Sequence, residues 1–166
     1  MLFSDQNAIV VGLQPDADRW TGNPQTDVIS IKNADHVTFI VSEGAGGAGY
    51  GTITMQACPN FTPTGTVDMG FRYRLTATTV TEVTDEAWAS VAATGLLTTA
   101  GANKLIVIEV DAEEIRAAGE KHTTPFVAVG VALTMTETDS TAVDAVILAV
   151  LSGLRYPGPA YPSNLA

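Results

Sequence analysis

Hydrophobic and polar positions alternate with a period of two over most of this chain. In 27–33, Val28, Ser30 and Lys32 fall on one side, and Ile29 and Ile31 on the other. In 49–57, Tyr50, Thr52, Thr54 and Gln56 alternate with Ile53, Met55 and Ala57. A period of two puts successive side chains on opposite faces of a strand. The same reading predicts strands over 8–13 (AIVVGL), 35–43 (DHVTFIVSE), 103–112 (NKLIVIEVDA) and 125–136 (PFVAVGVALTMT). The last begins at Pro125, a position a strand tolerates. The segment 67–84 predicts two strands or one long bent strand, with Arg72 and Arg74 on one face and Phe71, Tyr73 and Leu75 on the other. The run 142–154 (AVDAVILAVLSGL) is long enough for a helix, but Val143, Val146, Ile147 and Val150 favour a strand.

Breaks in the pattern mark the rest. Two prolines, a glycine and two aspartates make 14–26 a long surface loop, and 58–66 is a second loop. The short turn Asn33-Ala34-Asp35 suggests that 27–33 and 35–43 pair as a hairpin. Two short helices are expected. One spans 85–95, capped by Asp85, closed by Gly95 and anchored to the core by Trp88; the other is a helical turn over 111–121 ended by Gly119. Three prolines in 155–166 rule out a helix or a central strand there, so this is an extended arm. Residues 1–7 form a second arm. The expectation is one domain over 1–166, all-β, an antiparallel β-sandwich or flattened barrel of eight or nine strands.

Composition agrees with this. Of 166 residues, 46% are apolar and only 16% charged, so threonine and the other neutral polar side chains furnish much of the surface. Eight Lys and Arg against eighteen Asp and Glu give a net charge of -10. That balance argues against phosphate-backbone recognition and against anionic membranes. The longest apolar run is too short to span a bilayer as a helix, and the N-terminus lacks the basic start of a secretory signal. Production in a cytosol-like compartment is the expectation. A lone Cys58 permits no internal disulfide and reads as a small buried apolar residue.

One motif carries apparent chemistry. Gly44, Gly46 and Gly49 spell G-x-G-x-x-G after a predicted strand. A dinucleotide site needs a helix directly after the glycines, so that free N–H groups can hold the pyrophosphate. Here Thr-Ile-Thr follows, which is strand material, so the glycines read as a connection between strands and no cofactor is expected. His36 and His122 have no ligand partners at metal spacing, and "DAD" at 16–18 continues with Arg19 and Trp20 where a calcium loop needs other residues. The acidic 111–114 suits a helix start. No nucleophile elbow is present. No metal site and no catalysis are expected. The remaining candidates are contact residues on the arms: Leu2, Phe3, Arg155, Tyr156 and Tyr161. The arms would act together with edge strands and the glycine loop.

The order of segments, from "DVISIKNADHVTFIVSEGAG" and "GTITMQA" through "NKLIVIEVDAEEI" to a last strand ending in "LRYPG", resembles small structural proteins of tailed bacteriophages, in particular head auxiliary (decoration or cement) proteins. The resemblance implies a protein that binds the major capsid protein on the outside of an assembled head and stabilises it. It also implies a homo-oligomer, a trimer by preference, made in the host cytoplasm and lodged on the virion exterior. Two other classes fit the pattern. One is a tail-tube or head–tail joining subunit. The other is a carbohydrate-binding β-sandwich, for which Trp20 is the aromatic candidate.

Overall fold

The computed structural model describes residues 3–16, 21–44, 51–76, 87–98, 104–138 and 144–155. They form an all-β sandwich of two antiparallel sheets, with one helical turn and one short helix. The elements run α1 (Phe3–Gln6), β1 (Ala8–Asp16), β2 (Ile29–Ser30), β3 (His36–Glu43), β4 (Gly51–Cys58), β5 (Val67–Met69), β6 (Phe71–Thr76), β7 (Ala89–Val91), β8 (Leu96–Leu97), β9 (Lys104–Asp111), α2 (Ala112–Glu120), β10 (Gly130–Glu137) and β11 (Ala145–Ser152). The larger sheet has the order β1-β11-β3-β9-β6-β7 and the smaller β2-β10-β4-β5, with β8 also paired to β4.

The period-two pattern explains the core. On β3, Val37, Phe39 and Val41 turn inward and are fully buried, while His36, Thr38, Ile40 and Ser42 turn outward. Ile106, Ile108 and Val110 of β9 and Ile147, Ala149 and Leu151 of β11 line the same inner face. Ile53, Met55 and Ala57 of β4 and Val131, Leu133 and Met135 of β10 face them from the smaller sheet. The helix α2 packs against β9, β4 and β5, elements of both sheets, and buries Ala112 and Ile115. It starts at Asp111, whose backbone N–H donates to Glu114 Oε2 at 3.1 Å, with Glu113 and Glu114 in the positive first turn.

Several expectations need correction. Within 85–95 the chain is extended: Ala89–Val91 forms β7 and pairs with Phe71–Tyr73. Asp85 lies outside the described residues. The alanines favour a helix locally, but the open edge of β6 offers ladder hydrogen bonds that a helix cannot take. Trp88 does not anchor a core. It is 40% exposed, and the guanidinium of Arg74 stands over its ring at 4.6 Å. Gly95 does not close a helix; at φ 92° it turns the chain so that Leu96–Leu97 pair with β4.

The expected hairpin of 27–33 with 35–43 is a crossover. β2 pairs with β10 in the smaller sheet, and the Ile31 N–H donates to the Val129 carbonyl at 3.1 Å, whereas β3 lies in the larger sheet. Strand β1 runs on to Asp16, into the expected loop, and includes Pro15. Gly119 lies inside α2, where a Cβ would stand 2.7 Å from the Phe126 carbonyl oxygen, so glycine permits that close contact. Between β5 and β6 only Gly70 separates the two sheets.

Truncating Phe39, the largest fully buried side chain among the described residues, to alanine removes packing at the centre of the larger sheet. Phe39→Ala lowers unfolding free energy by about 3–5 kcal/mol in chemical denaturation.

Candidate interaction surface

A sandwich has two outward faces, and here they differ in kind. On the smaller sheet the outward positions of β4 and β10 are Thr52, Thr54, Gln56, Thr134 and Thr136. Gln56 and Thr134 belong to a polar network with Gln25 and Asp68. The Gln25 amide donates to Gln56 Oε1 at 2.7 Å, and the Thr134 hydroxyl donates to the same oxygen at 3.1 Å. Gln56 Nε2 in turn donates to Asp68 Oδ1 at 2.8 Å. Thr26, buried at its rim, accepts the Leu133 N–H on its hydroxyl at 2.9 Å. This face is mainly polar; Leu97 of β8, paired with Thr52 and 55% exposed, is its apolar exception.

The outer face of the larger sheet follows register rows. One row crosses five strands as Val11, Leu148, Ile40, Val107 and Arg74. The next runs Ile9, Val150, Thr38, Glu109, Arg72 and Ser90. Val146 and Leu105 flank Ser42 in a third. The middle of this face is therefore aliphatic, and Ile9 at its rim is 59% exposed. From the sequence, the near-continuous apolar run of β9 reads simply as a strand and that of β11 as a choice between helix and strand. Their lack of alternation is the available signal, because a strand apolar on both sides needs cover on both.

A polar cluster closes one end of the face. His36 Nδ1 lies 2.7 Å from Asp111 Oδ1, and its Nε2 lies 3.8 Å from Glu109 Oε1. Asp35 accepts from Arg155 Nε at 3.3 Å, and the Arg155 N–H donates to the Asn33 carbonyl at 3.0 Å. Ala8 pairs with Leu151, so the start of β1 and the end of β11 lie at this same end.

Of the contact residues expected from sequence, Phe3 is 59% exposed on α1. Arg155 is exposed but tied to its own domain through Asp35 and Asn33. Leu2, Tyr156 and Tyr161 lie outside the described residues, as does Trp20. The edge strands are poor contact elements: β2 and β8 have two residues, β5 and β7 three, and β1 carries Pro15 and two register irregularities. Such features blunt strand addition.

Gly44 and Gly51 frame the glycine segment, and Gly46 and Gly49 lie outside the described residues. At Gly51 β4 begins at once, so no helix N-terminus follows the glycines. A Cβ at Gly51 would stand 2.7 Å from the Thr136 carbonyl oxygen, which accounts for glycine there by strand packing. Among the described residues, no group of three or more His, Cys, Asp or Glu side chains is arranged to hold a metal ion. None of the described helices is long and apolar enough to cross a membrane.

Cys58 is buried at the end of β4. Burial pushes its thiol up from 9.0 to about 11, against a smaller opposing effect of a backbone hydrogen bond from Ala132. Because the folded state holds this proton more tightly, the associated stability is full below pH 9 and is lost as pH rises through about 11. Chemical denaturation across that window shows a fall on the order of 2–3 kcal/mol that Cys58→Ala removes. The native thiol stays unreactive toward iodoacetamide at pH 8 and is alkylated on unfolding.

Comparison of the chain with family models, with curated proteins and with solved structures finds no match.

Proposed function

We propose that this chain is a virion structural protein of a tailed bacteriophage, a decoration protein that binds the exterior of the assembled head and stabilises it. The observation that carries the reading is the pairing of a small acidic sandwich with a largely aliphatic outward sheet face. A face of this kind gains free energy when a neighbour removes it from water. In this reading the protein works by adhesion and transforms no substrate. The resemblance of its segment order to head auxiliary proteins supplies the particular partner, the major capsid protein.

Charge fits an exterior position. A chain of net charge -10 is repelled by packaged DNA and remains soluble at high local concentration. The arms contribute the capsid contacts, through Leu2 and Phe3 at one terminus and Arg155, Tyr156 and Tyr161 at the other. Proline in the second arm limits its unbound conformations, so less entropy is lost on docking. The start of β1 and the end of β11 are neighbours, so both arms depart from one end of the larger sheet.

Purified protein mixed with expanded, undecorated heads of its own phage binds at a fixed copy number per head. Deleting residues 155–166 leaves the circular dichroism spectrum and the unfolding transition nearly unchanged and weakens head binding by at least about tenfold. Unchanged binding by that deletion removes the C-terminal arm from the contact. Binding to tails in place of heads moves the protein to the tail-tube or joining class.

A further inference from the structure

The geometry points to a second copy of this chain as the occupant of the outer face of the larger sheet: two protomers pack β1, β11, β3 and β9 of one against the same sheet of the other. This goes beyond the head-binding reading: the face joins two copies, a two-fold pair stands in place of the trimer that the resemblance implies, any capsid contact falls to the arms, and the pairing holds whether or not the protein joins a phage head. Four features of the molecule support it.

The first is the contrast within one molecule. Both outward faces come from the same short, threonine-rich chain. The smaller sheet presents Thr54, Gln56, Thr134 and Asp68 in a hydrogen-bonded network. The larger presents Val11, Leu148, Ile40 and Val107 in one unbroken register row, with Ile9 and Val150 beside it. A face left in water gains nothing from that aliphatic row, and antiparallel sheets with one solvated side normally alternate apolar with polar.

The second is area. With strands about 4.8 Å apart and residues about 3.4 Å apart, four strands of eight residues span roughly 19 by 27 Å, on the order of 500 Å². β6 and β7 extend the face toward the ~800 Å² that each partner gives to an interface of standard size. The Arg74–Trp88 pair borders one side, and aromatic and arginine side chains are the types enriched at such contacts.

The third is charge. The chain carries -10 overall, so two copies repel unless they meet where that charge is absent. On this face the described charges balance: Arg72 and Arg74 against Glu109 and Asp111, with Arg72 directly opposite Glu109 in register. A basic partner would be drawn to the acidic remainder of the surface, whereas a second acidic copy is admitted here.

The fourth is the state of the edges. β1 is bulged and contains Pro15, and β7 has three residues, so the larger sheet cannot readily extend by adding strands. Contact through the face is the route left open. Sheets packed face to face with related strand directions are a standard arrangement, and a two-fold pair closes on itself without further growth.

The test uses the full chain in solution. Light scattering coupled to size exclusion, at tens of micromolar, gives twice the chain mass, and the assembly tightens between low and 0.5 M sodium chloride as repulsion is screened. The double variant Ile40→Thr/Leu148→Thr keeps β-branched, strand-forming side chains and raises the dissociation constant at least about a hundredfold, with circular dichroism and cooperative unfolding retained. The matching change on the polar face, Thr54→Val, leaves the mass unchanged. A monomeric wild-type chain overturns the proposal by itself, even if the double variant fails to fold. In that event, loss of head binding by Ile40→Thr/Leu148→Thr assigns the face to the capsid, and a rise in anilinonaphthalene sulfonate fluorescence on deleting 156–166 assigns it to the chain's own terminus. An assembled double variant, or assembly that dissolves in salt, also overturns it.

Discussion

A β-strand turns each successive side chain to the opposite face, and a two-sheet sandwich covers only one of those faces. Everything in this molecule follows from how its strands meet that rule. β3 obeys it along its whole length and β4 as far as Ala57, after which Cys58 is buried as well. β11 obeys it in burial but not in chemistry: Ala145, Ile147, Ala149 and Leu151 go inward, and Val146, Leu148 and Val150 go outward. Half of an apolar strand is thereby left on the outside. β9 does the same with Val107, and β1 with Ile9 and Val11. Because these strands are neighbours, their surplus apolar groups merge into one surface.

The location of that surface is as informative as its existence. The order β1-β11-β3-β9 brings together segments from the start, the end and the middle of the chain. No local stretch of sequence contains the face. It exists only once long-range pairing has formed, so the same contacts that close the hydrophobic core also create the aliphatic outer face. The smaller sheet, built from β4 and β10, puts mainly threonine and glutamine at the equivalent outward positions and links Thr54, Gln56 and Thr134 by hydrogen bonds. The two outward faces thus differ: one is mainly polar, with Leu97 as its exposed apolar exception, and the other is largely aliphatic. An interaction protein needs this division if it is to attach in one orientation.

Much of the fold was legible because period-two alternation is a strong signal over eight residues. β3, β4, β9 and β11 sit where the pattern puts them, and Arg72 and Arg74 share the outward face of β6 as their spacing predicts. Cys58 is buried, as its small apolar character suggests. The failures have physical causes. The 85–95 segment carries helix-favouring alanines, and only the unpaired edge of β6, far away in sequence, makes it a strand. The crossover after β2 looks like a hairpin because Asn33-Ala34-Asp35 suits a tight turn, and turn chemistry does not say in which sheet the next strand will lie. The interaction face was hidden for a related reason. Its signal is an absence of alternation, and the sequence alone does not reveal that β11 and β9 would flank the same strand.

The pairing of Ala8 with Leu151 has a mechanical consequence. The first and last strands of the chain are antiparallel neighbours whose outer ends coincide. Force pulling the two termini apart would open the β1–β11 ladder one pair at a time, a weak geometry in which each rung bears the load alone. Force drawing both termini the same way would run along the strands and load many rungs together. The sandwich is thus suited to being held by both ends from one side, and a tether through a single terminus would leave it easy to peel.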